Sequence, residues 1–379
     1  MKRFSRHKRY CLIIIMLFAL PAFSQTISYQ PGGGIQFHSP EENWKFRLLG
    51  YIQSTHTFHS TAENEAVSND FFVRRARLDV IFDYLNRYQI FFELDGRGSR
   101  TELVLGQFDV RYFKHHKLQI GKFITPFSPE NLRSSRSLTT VERYSALNSM
   151  FLLPALDTQY GVMFHGKGTI IDYYLSITNG NGKASDNLRE NNDAKDIQAS
   201  LRYHPGKAVS IGGSFNFSEE RAQLLRLVDH TFNSFNQAKI SGQRLGYLLE
   251  LSYDLNPLLL RTEGFQFQYD APLSSEQQVG KFRGGYLEAG YFLSGNTSNG
   301  FQLLARIESA EYGDLHPSLA GPTRLTSYLL GNNFYRDGIF RLQVNLIYEQ
   351  ANRPSQLQET RFSGKEDTFE ILTMVQMKF

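Results

Sequence analysis

The 379-residue chain has one cysteine, one tryptophan and 12 prolines. Beyond Leu20 no apolar run approaches the roughly 20 residues that a membrane helix needs. Each scarcity excludes something. Cys11 lies within the first 24 residues, so the remainder has no disulfide and no thiolate chemistry. The lack of a long apolar run excludes helical membrane spans. Nucleophile-elbow, phosphate-loop and zinc-spacing motifs are missing too, which leaves no cofactor to expect. An excess of one charge is also wanting. Lys2, Arg3, Arg6, Lys8 and Arg9 supply five of the 41 Lys and Arg, while residues 1–24 hold no acid. Without them 36 basic residues face 37 acidic ones, and the electrostatic case for nucleic-acid binding disappears.

Those first residues have their own reading. A basic start, an apolar stretch from Tyr10 to Leu20 and the small residues of Ala22-Phe23-Ser24 make 1–24 a secretory signal peptide. Residues 25–43, with Pro31-Gly32-Gly33-Gly34, read as a flexible lead-in.

What the chain has in quantity is aromatic residues, 31 Phe and 20 Tyr, set in a period of two. From Phe71 to Asp95, Ala76, Leu78, Val80, Phe82 and Tyr84 make one row, and Arg75, Arg77, Asp79 and Asp83 the other; Tyr88, Ile90, Phe92 and Leu94 then oppose Gln89, Glu93 and Asp95. Successive side chains of a strand point to opposite faces, so this is a hairpin with an oily and a charged face. About sixteen such segments follow one another between residues 44 and 379, an even number as bacterial barrels require. Connections alternate short (near 86, 115, 168, 206, 256 and 337) and long (60–70, 124–157, 179–194, 218–242, 270–280, 313–322 and 351–365). Tyr84, Tyr88, Tyr112, Tyr203 and Tyr253 share the oily parity beside short turns, where a membrane-interface girdle belongs. A sandwich has no reason for either regularity. The fold class is therefore all-β: a transmembrane antiparallel β-barrel of about 16 strands in the outer membrane. The Pro-containing stretch 124–157 breaks the period, and an unpatterned link of that length is usually functional.

Phe72-Val73-Arg74-Arg75-Ala76-Arg77, Ile120-Gly121-Lys122-Phe123, Pro126-Phe127, Glu130, Ser134-Ser135 and Glu142-Arg143 together resemble the phosphate-selective porin O and P family, especially its Bacteroidetes-type relatives. The resemblance spans essentially the whole chain after residue 24. It implies a sixteen-stranded, homotrimeric outer-membrane porin passing small ions or solutes, phosphate among them, whose third outer loop folds inward as a constriction; that loop is 124–157 here. Phe379 resembles the C-terminal signal read by the barrel-assembly machinery. One departure stands out. Where the family commonly carries Arg shortly before a Gly-Val pair, Thr158-Gln159-Tyr160 precede Gly161-Val162.

A wide pore selects by its ring of charges. Parity places Arg47, Arg75, Arg77, Arg111, Arg202, Arg244, Arg306 and Arg341 inward, with Asp79, Asp83, Glu93, Asp95, Asp109, Glu250, Glu263 and Glu308 on the same faces. Arg75 and Arg77 are expected to partner Asp79 and Asp83. In the constriction, Lys122, Arg133, Arg136 and Arg143 meet Glu130, Glu142 and Asp157. The wall balances, so phosphate preference rests on the resemblance alone. Arg74-Arg75-Ala76-Arg77 is no nucleic-acid patch, because alternation splits its charges between faces. His115-His116 in a turn lacks the further ligands of a metal site. Two other classes stay open: a barrel enzyme such as a surface hydrolase, with catalytic groups converging at one rim, and a structural or adhesion barrel with a plugged bore.

Overall fold

Apolar side chains stand on the outside of this protein and charged ones on the inside. Phe82, Ile90, Leu201, Leu249, Leu330 and Val375 are exposed, whereas Arg244, Glu288 and Arg306 are fully buried. A soluble sheet does the reverse, and this inversion is the mark of a barrel whose outer surface meets hydrocarbon. The computed structural model describes residues 26–59, 69–113, 115–151, 156–180, 194–228, 230, 234–271, 278–313, 323–352 and 367–379. The signal-peptide reading of residues 1–24 lies outside them.

Sixteen strands make the wall: β3 (Trp44–His59), β4 (Asn69–Tyr84), β5 (Tyr88–Asp95), β6 (Glu102–Phe113), β7 (His116–Ile124), β8 (Thr158–Lys167), β9 (Ile171–Thr178), β10 (Asp196–Tyr203), β11 (Val209–Val228), β12 (Ser234–Leu255), β13 (Leu258–Ala271), β14 (Gln278–Gly295), β15 (Gly300–Gly313), β16 (Thr323–Arg336), β17 (Phe340–Ala351) and β18 (Asp367–Lys378). Each pairs antiparallel with the next, and β18 returns to β3 in register from Glu370↔His59 to Lys378↔Tyr51. The ring is closed, so no strand edge faces lipid with its backbone unpaired.

The residues before the ring correct one expectation. Instead of a flexible lead-in, β1 (Thr26–Gln30) and β2 (Gly34–His38) form a hairpin. β2 pairs with Lys45–Leu48 of β3, on the stretch of that edge where β18 has ended. Tyr29, Ile35 and Phe37 alternate with polar neighbours, and the free edge of β3 supplies the partner that short strands need. Gly32 and Gly34 make the turn with φ of 70° and 80°.

At the seam, Phe379 exchanges backbone hydrogen bonds with Gly50 (3.0 and 3.4 Å), and its ring lies over the glycine. A Cβ on Gly50 would stand 2.5 Å from the Arg77 carbonyl oxygen and 2.9 Å from the Phe379 ring. Since the first is backbone, Gly50→Ala is expected to destabilise the barrel by about 1–3 kcal/mol. Thermal unfolding followed by the loss of heat-modifiable gel migration checks this; an unchanged midpoint contradicts it.

Two further expectations change. The segment 218–242, read as a long polar loop, is mostly strand, with β11 and β12 paired from Gln223↔Ile240 to Val228↔Ser234. Strand pairing above the lipid needs no oily outer face, so polar residues do not end it. The other concerns Arg74. The register shifts between Gln53 and Ser54, leaving Arg74 as the extra residue of a β-bulge on β4. The extra residue resets the alternation and brings Arg74 to the same side as Arg75, against the expected split.

The interval between β7 and β8 carries two short helices, α1 (Pro129–Leu132) and α2 (Ser145–Phe151). Phe127, Tyr144, Leu147 and Met150 from this interval pack with Leu225, Phe265, Phe267, Tyr269 and Phe282 of β11, β13 and β14. The sequence leaves the facing of 258–269 ambiguous for this reason: Phe265, Phe267 and Tyr269 are apolar yet inward, because they meet this apolar cluster and not water.

Candidate functional site

The segment 125–151 is joined to strands on opposite sides of the ring, mostly through charged groups. Pro129 starts α1, and Ser128 caps it, its hydroxyl accepting from the Asn131 N–H at 3.2 Å. Glu263 of β13 accepts from the Ser128 hydroxyl at 2.5 Å and from the Glu130 N–H at 2.9 Å. A carboxylate from the wall thus satisfies donors that a helix start leaves open. The Glu130 side chain, fully buried, meets Arg306 of β15 at 3.0 Å and Arg133 at 3.3 Å. Arg306 in turn holds Glu288 and lies 3.5 Å from Glu308.

Further along, Thr139 donates to Glu288 at 2.8 Å, and the Val141 N–H donates to the Asn345 side chain at 2.8 Å. Arg341 and Gln343 of β17 donate to the carbonyls of Leu138 and Thr139 at 2.7 and 2.8 Å. Across the ring, Glu142 pairs with both Arg74 and Arg75, the latter at 2.9 Å. Burial alone would raise the Glu142 carboxyl, but Arg74 and Arg75 outweigh it and hold it at about 2. Arg143 donates to the carbonyls of Glu130 and Arg133 at 3.0 and 2.7 Å, fixing the turn between the helices. Arg136 lies 3.4 Å from Asp79 of β4.

Glu142 gives a pH prediction with a definite sign. Its folded value is depressed below the ordinary 4.5, so its contribution is present above that value and is lost as pH falls toward 2. Single-channel conductance is expected to stay flat from pH 7 to about 4.5 and to rise only below it. A step near pH 6 would contradict this assignment.

Residues assigned inward by parity take partners other than those expected. Arg77 bonds Glu93 and lies 3.0 Å from Asp95, both on β5, and does not pair with Asp79. Asp83 is shared by Arg47 at 3.2 Å and Arg111 at 3.3 Å. Two residues apart on a strand is about 6.6 Å, whereas the neighbour across the ladder is about 5 Å away. Asp109 takes Lys117 at 2.8 Å, and Arg202 bonds Glu250. Lys122 belongs to β7 and not to the interval after it; its ammonium donates to the Leu103 carbonyl at 2.8 Å. Gln159, at the position of the departure, is buried. Of the tyrosines, Tyr84, Tyr112 and Tyr203 are exposed, Tyr88 and Tyr253 half-buried; Tyr88 and Tyr112 meet edge to face at 5.8 Å. Sequence reasoning missed Arg74, Thr139, Glu288, Gln343 and Asn345. Only Arg74 left a usable trace, in a run of three arginines that strict alternation cannot serve.

Open space remains beside the segment. One cavity, of 570 Å³, is lined by Arg74, Arg75, Arg77, Arg97, Arg133, Arg136 and Arg143 against Asp79, Glu93, Glu142 and Asp157. A second, of 370 Å³, has Arg136, Arg261, Arg341 and Lys378 against Asp254. The third, of 340 Å³, has Arg133, Lys167, Arg202 and Arg261 against Glu250 and Glu263. Within the pairs the cation is usually the exposed member. Arg136 keeps 34% of its side chain exposed against 4% for Asp79, Arg111 30% against 0% for Asp109, and Arg97 33% against 1% for Asp95. Arg261 with Asp254, Arg77 with Glu93, Arg244 with Asp196 and Arg75 with Glu142 run the other way.

Comparison with known proteins agrees with this architecture. The anion-selective porin from Comamonas acidovorans superposes with a TM-score of 0.61 at 11% identity, over 89% of this chain and 100% of that one. OmpT of Vibrio cholerae in its trimer form gives 0.62 at 10% identity, over 89% and 99%. OmpF of Salmonella typhi in complex with daunomycin gives 0.61 at 10%, over 93% and 100%. At such identities the likeness concerns the fold. No curated protein matches the chain. The family model for phosphate-selective porin O and P does, over residues 46–377, nearly the whole of the ring just described, and the chain belongs to that family.

Proposed function

We propose that this porin, a passive-diffusion channel of the outer membrane, prefers anions, and that segment 125–151 narrows its bore. Family membership and the closed 16-strand barrel carry the channel itself. One observation carries the preference: all three cavities beside the segment have more basic than acidic side chains. Over the whole wall the charges balance, but the acids are spent. Glu130, Glu263, Glu288 and Glu308 are buried while fastening the segment, whereas Arg97, Arg111 and Arg136 keep 33%, 30% and 34% of their side chains exposed. Small anions, phosphate among them, are the solutes such a field favours.

The constriction supports the same reading. Bonds from β4, β13, β14, β15 and β17 reach one segment, which supports a path across the interior. Arg75, Arg77, Arg136 and Arg143 then flank the passage. The carboxylates are committed to ion pairs that hold this segment, which speaks against a hydrolase. Export through cleavage after residue 24, insertion by the assembly machinery through Phe379, a lipid interface at the tyrosine ends and a homotrimer complete the proposal; the trimer form of OmpT of Vibrio cholerae supports the last.

The test is a reversal potential. Purified protein in a planar bilayer under a KCl gradient is expected to conduct with the sign of chloride preference. Cation preference overturns the selectivity, and no current at all overturns the channel.

A further inference from the structure

Among the described residues, one cluster of ionisable side chains serves neither the fastening of α1 nor the three basic cavities. His230, in the connection between β11 and β12, reaches the wall at Glu349 of β17, with Nδ1 2.9 Å from Oε1. Its Nε2 lies 3.0 Å from a Glu308 oxygen of β15. His59, at the end of β3, sits 3.5 Å from Glu370 of β18. All five are buried, none more than 5% exposed. Donor atoms of His230, Glu349 and Glu370 fall within 4.8 Å of one another.

Three carboxylates, Glu308, Glu349 and Glu370, converge here in a place with so little water that cationic partners are required. Arg306 lies 3.5 Å from Glu308 and is already shared with Glu130 and Glu288. His230 Nε2 is buried without a hydrogen-bond partner despite its nearness to Glu308. A cavity of 160 Å³ reaches the His230 ring, giving water and small ions access. Ser327 donates to Glu349 at 3.0 Å, the kind of outer contact that orients a ligating carboxylate.

We propose that His230, Glu349 and Glu370, with His59 beside them, form a binding site for a divalent transition-metal cation of the zinc type. The donors decide the class: imidazole nitrogen with carboxylate oxygen suits zinc, whereas calcium and magnesium take oxygen shells. Ligand atoms of a tetrahedral zinc stand about 3.3–3.5 Å apart, from bonds of about 2.0–2.2 Å. The observed spread, up to 4.8 Å, therefore closes by up to about 1.5 Å through side-chain torsions, with the strands left in place. A dication with neutral imidazoles carries the same charge as two protonated imidazoles, so it replaces protons without unbalancing the cluster. Bound there, it cross-links the β11–β12 connection to β17 and β18, strands well round the ring from it.

The test uses the full-length folded barrel in detergent, stripped of metal, titrated with Zn²⁺ calorimetrically and with Co²⁺ by visible absorption. One saturable site per chain is expected, with a cobalt ligand-field band, and His230→Gln and Glu349→Gln each weaken it at least about tenfold. Heat-modifiable gel migration shows which variants are folded. Should His230→Gln not fold, Glu370→Gln is read in its place. No saturable binding by the wild-type barrel, or undiminished binding by the folded variants, overturns the site. Binding lost instead in His115→Ala with His116→Ala does so as well.

Discussion

Arg97→Glu combined with Arg136→Glu is expected to reverse the ion preference of the pore while the barrel still assembles. The two substitutions change the lining of the 570 Å³ cavity from seven basic groups against four acidic to five against six. At about 8 Å in water each unit charge acts on a passing ion with about 0.5 kcal/mol. A change of four units is then about 2 kcal/mol, which screening over a Debye length of about 10 Å reduces to about 1. Anion and cation feel it with opposite sign, so their permeability ratio changes by about 2 kcal/mol, roughly thirtyfold, read from the reversal potential. These two arginines are chosen because about a third of each side chain is exposed, so neither holds the fold. Arg77 is the poorer choice. It is fastened to Glu93 and Asp95, and a carboxylate in its place would put three acids together in a buried spot. An unchanged reversal potential in a folded double variant would remove the basic cavity from the account of selectivity.

Arg306→Met is expected to have the largest effect on stability. The guanidinium is completely buried and shared by Glu130, Glu288 and Glu308. Its loss leaves carboxylates uncompensated in the interior, at a cost of roughly 3–5 kcal/mol. The sixteen-strand ladder does not depend on it, so the cost falls on the attachment of α1. Conductance should rise as the segment loosens on that side, and more in combination with Glu142→Gln, which frees the Arg74 and Arg75 side. A destabilised barrel whose conductance does not change in the double variant would mean that the segment does not limit the bore.

The barrel was legible in the sequence because its cause is local. Alternation of Phe82 and Tyr84 with Asp83, or of Phe369 and Val375 with Glu370 and Gln376, follows from the strand's period of two and needs no knowledge of what lies opposite. The inward charges were legible for the same reason. Where alternation was the only guide it failed at Arg74, since a bulge adds one residue and leaves no mark beyond an awkward run of arginines. The strand extensions of β11 and β12 were missed because polar residues above the lipid look like loop.

Pairing was not legible at all. Arg306 with Glu130, Glu142 with Arg75 and His230 with Glu349 are separated by 176, 67 and 119 residues. Such partners are set by ring closure and by the path of one segment through the interior. By itself the sequence determined the class of fold, the two faces of most strands and the family, because periodicity and short motifs are local properties. The tertiary structure alone decided which charges neutralise each other and which remain to meet the solute. Counting charges along the chain gives a balanced wall; only the three-dimensional arrangement shows that Glu130, Glu263, Glu288 and Glu308 are buried in the bonds of segment 125–151 while Arg97, Arg111 and Arg136 stay about one-third exposed.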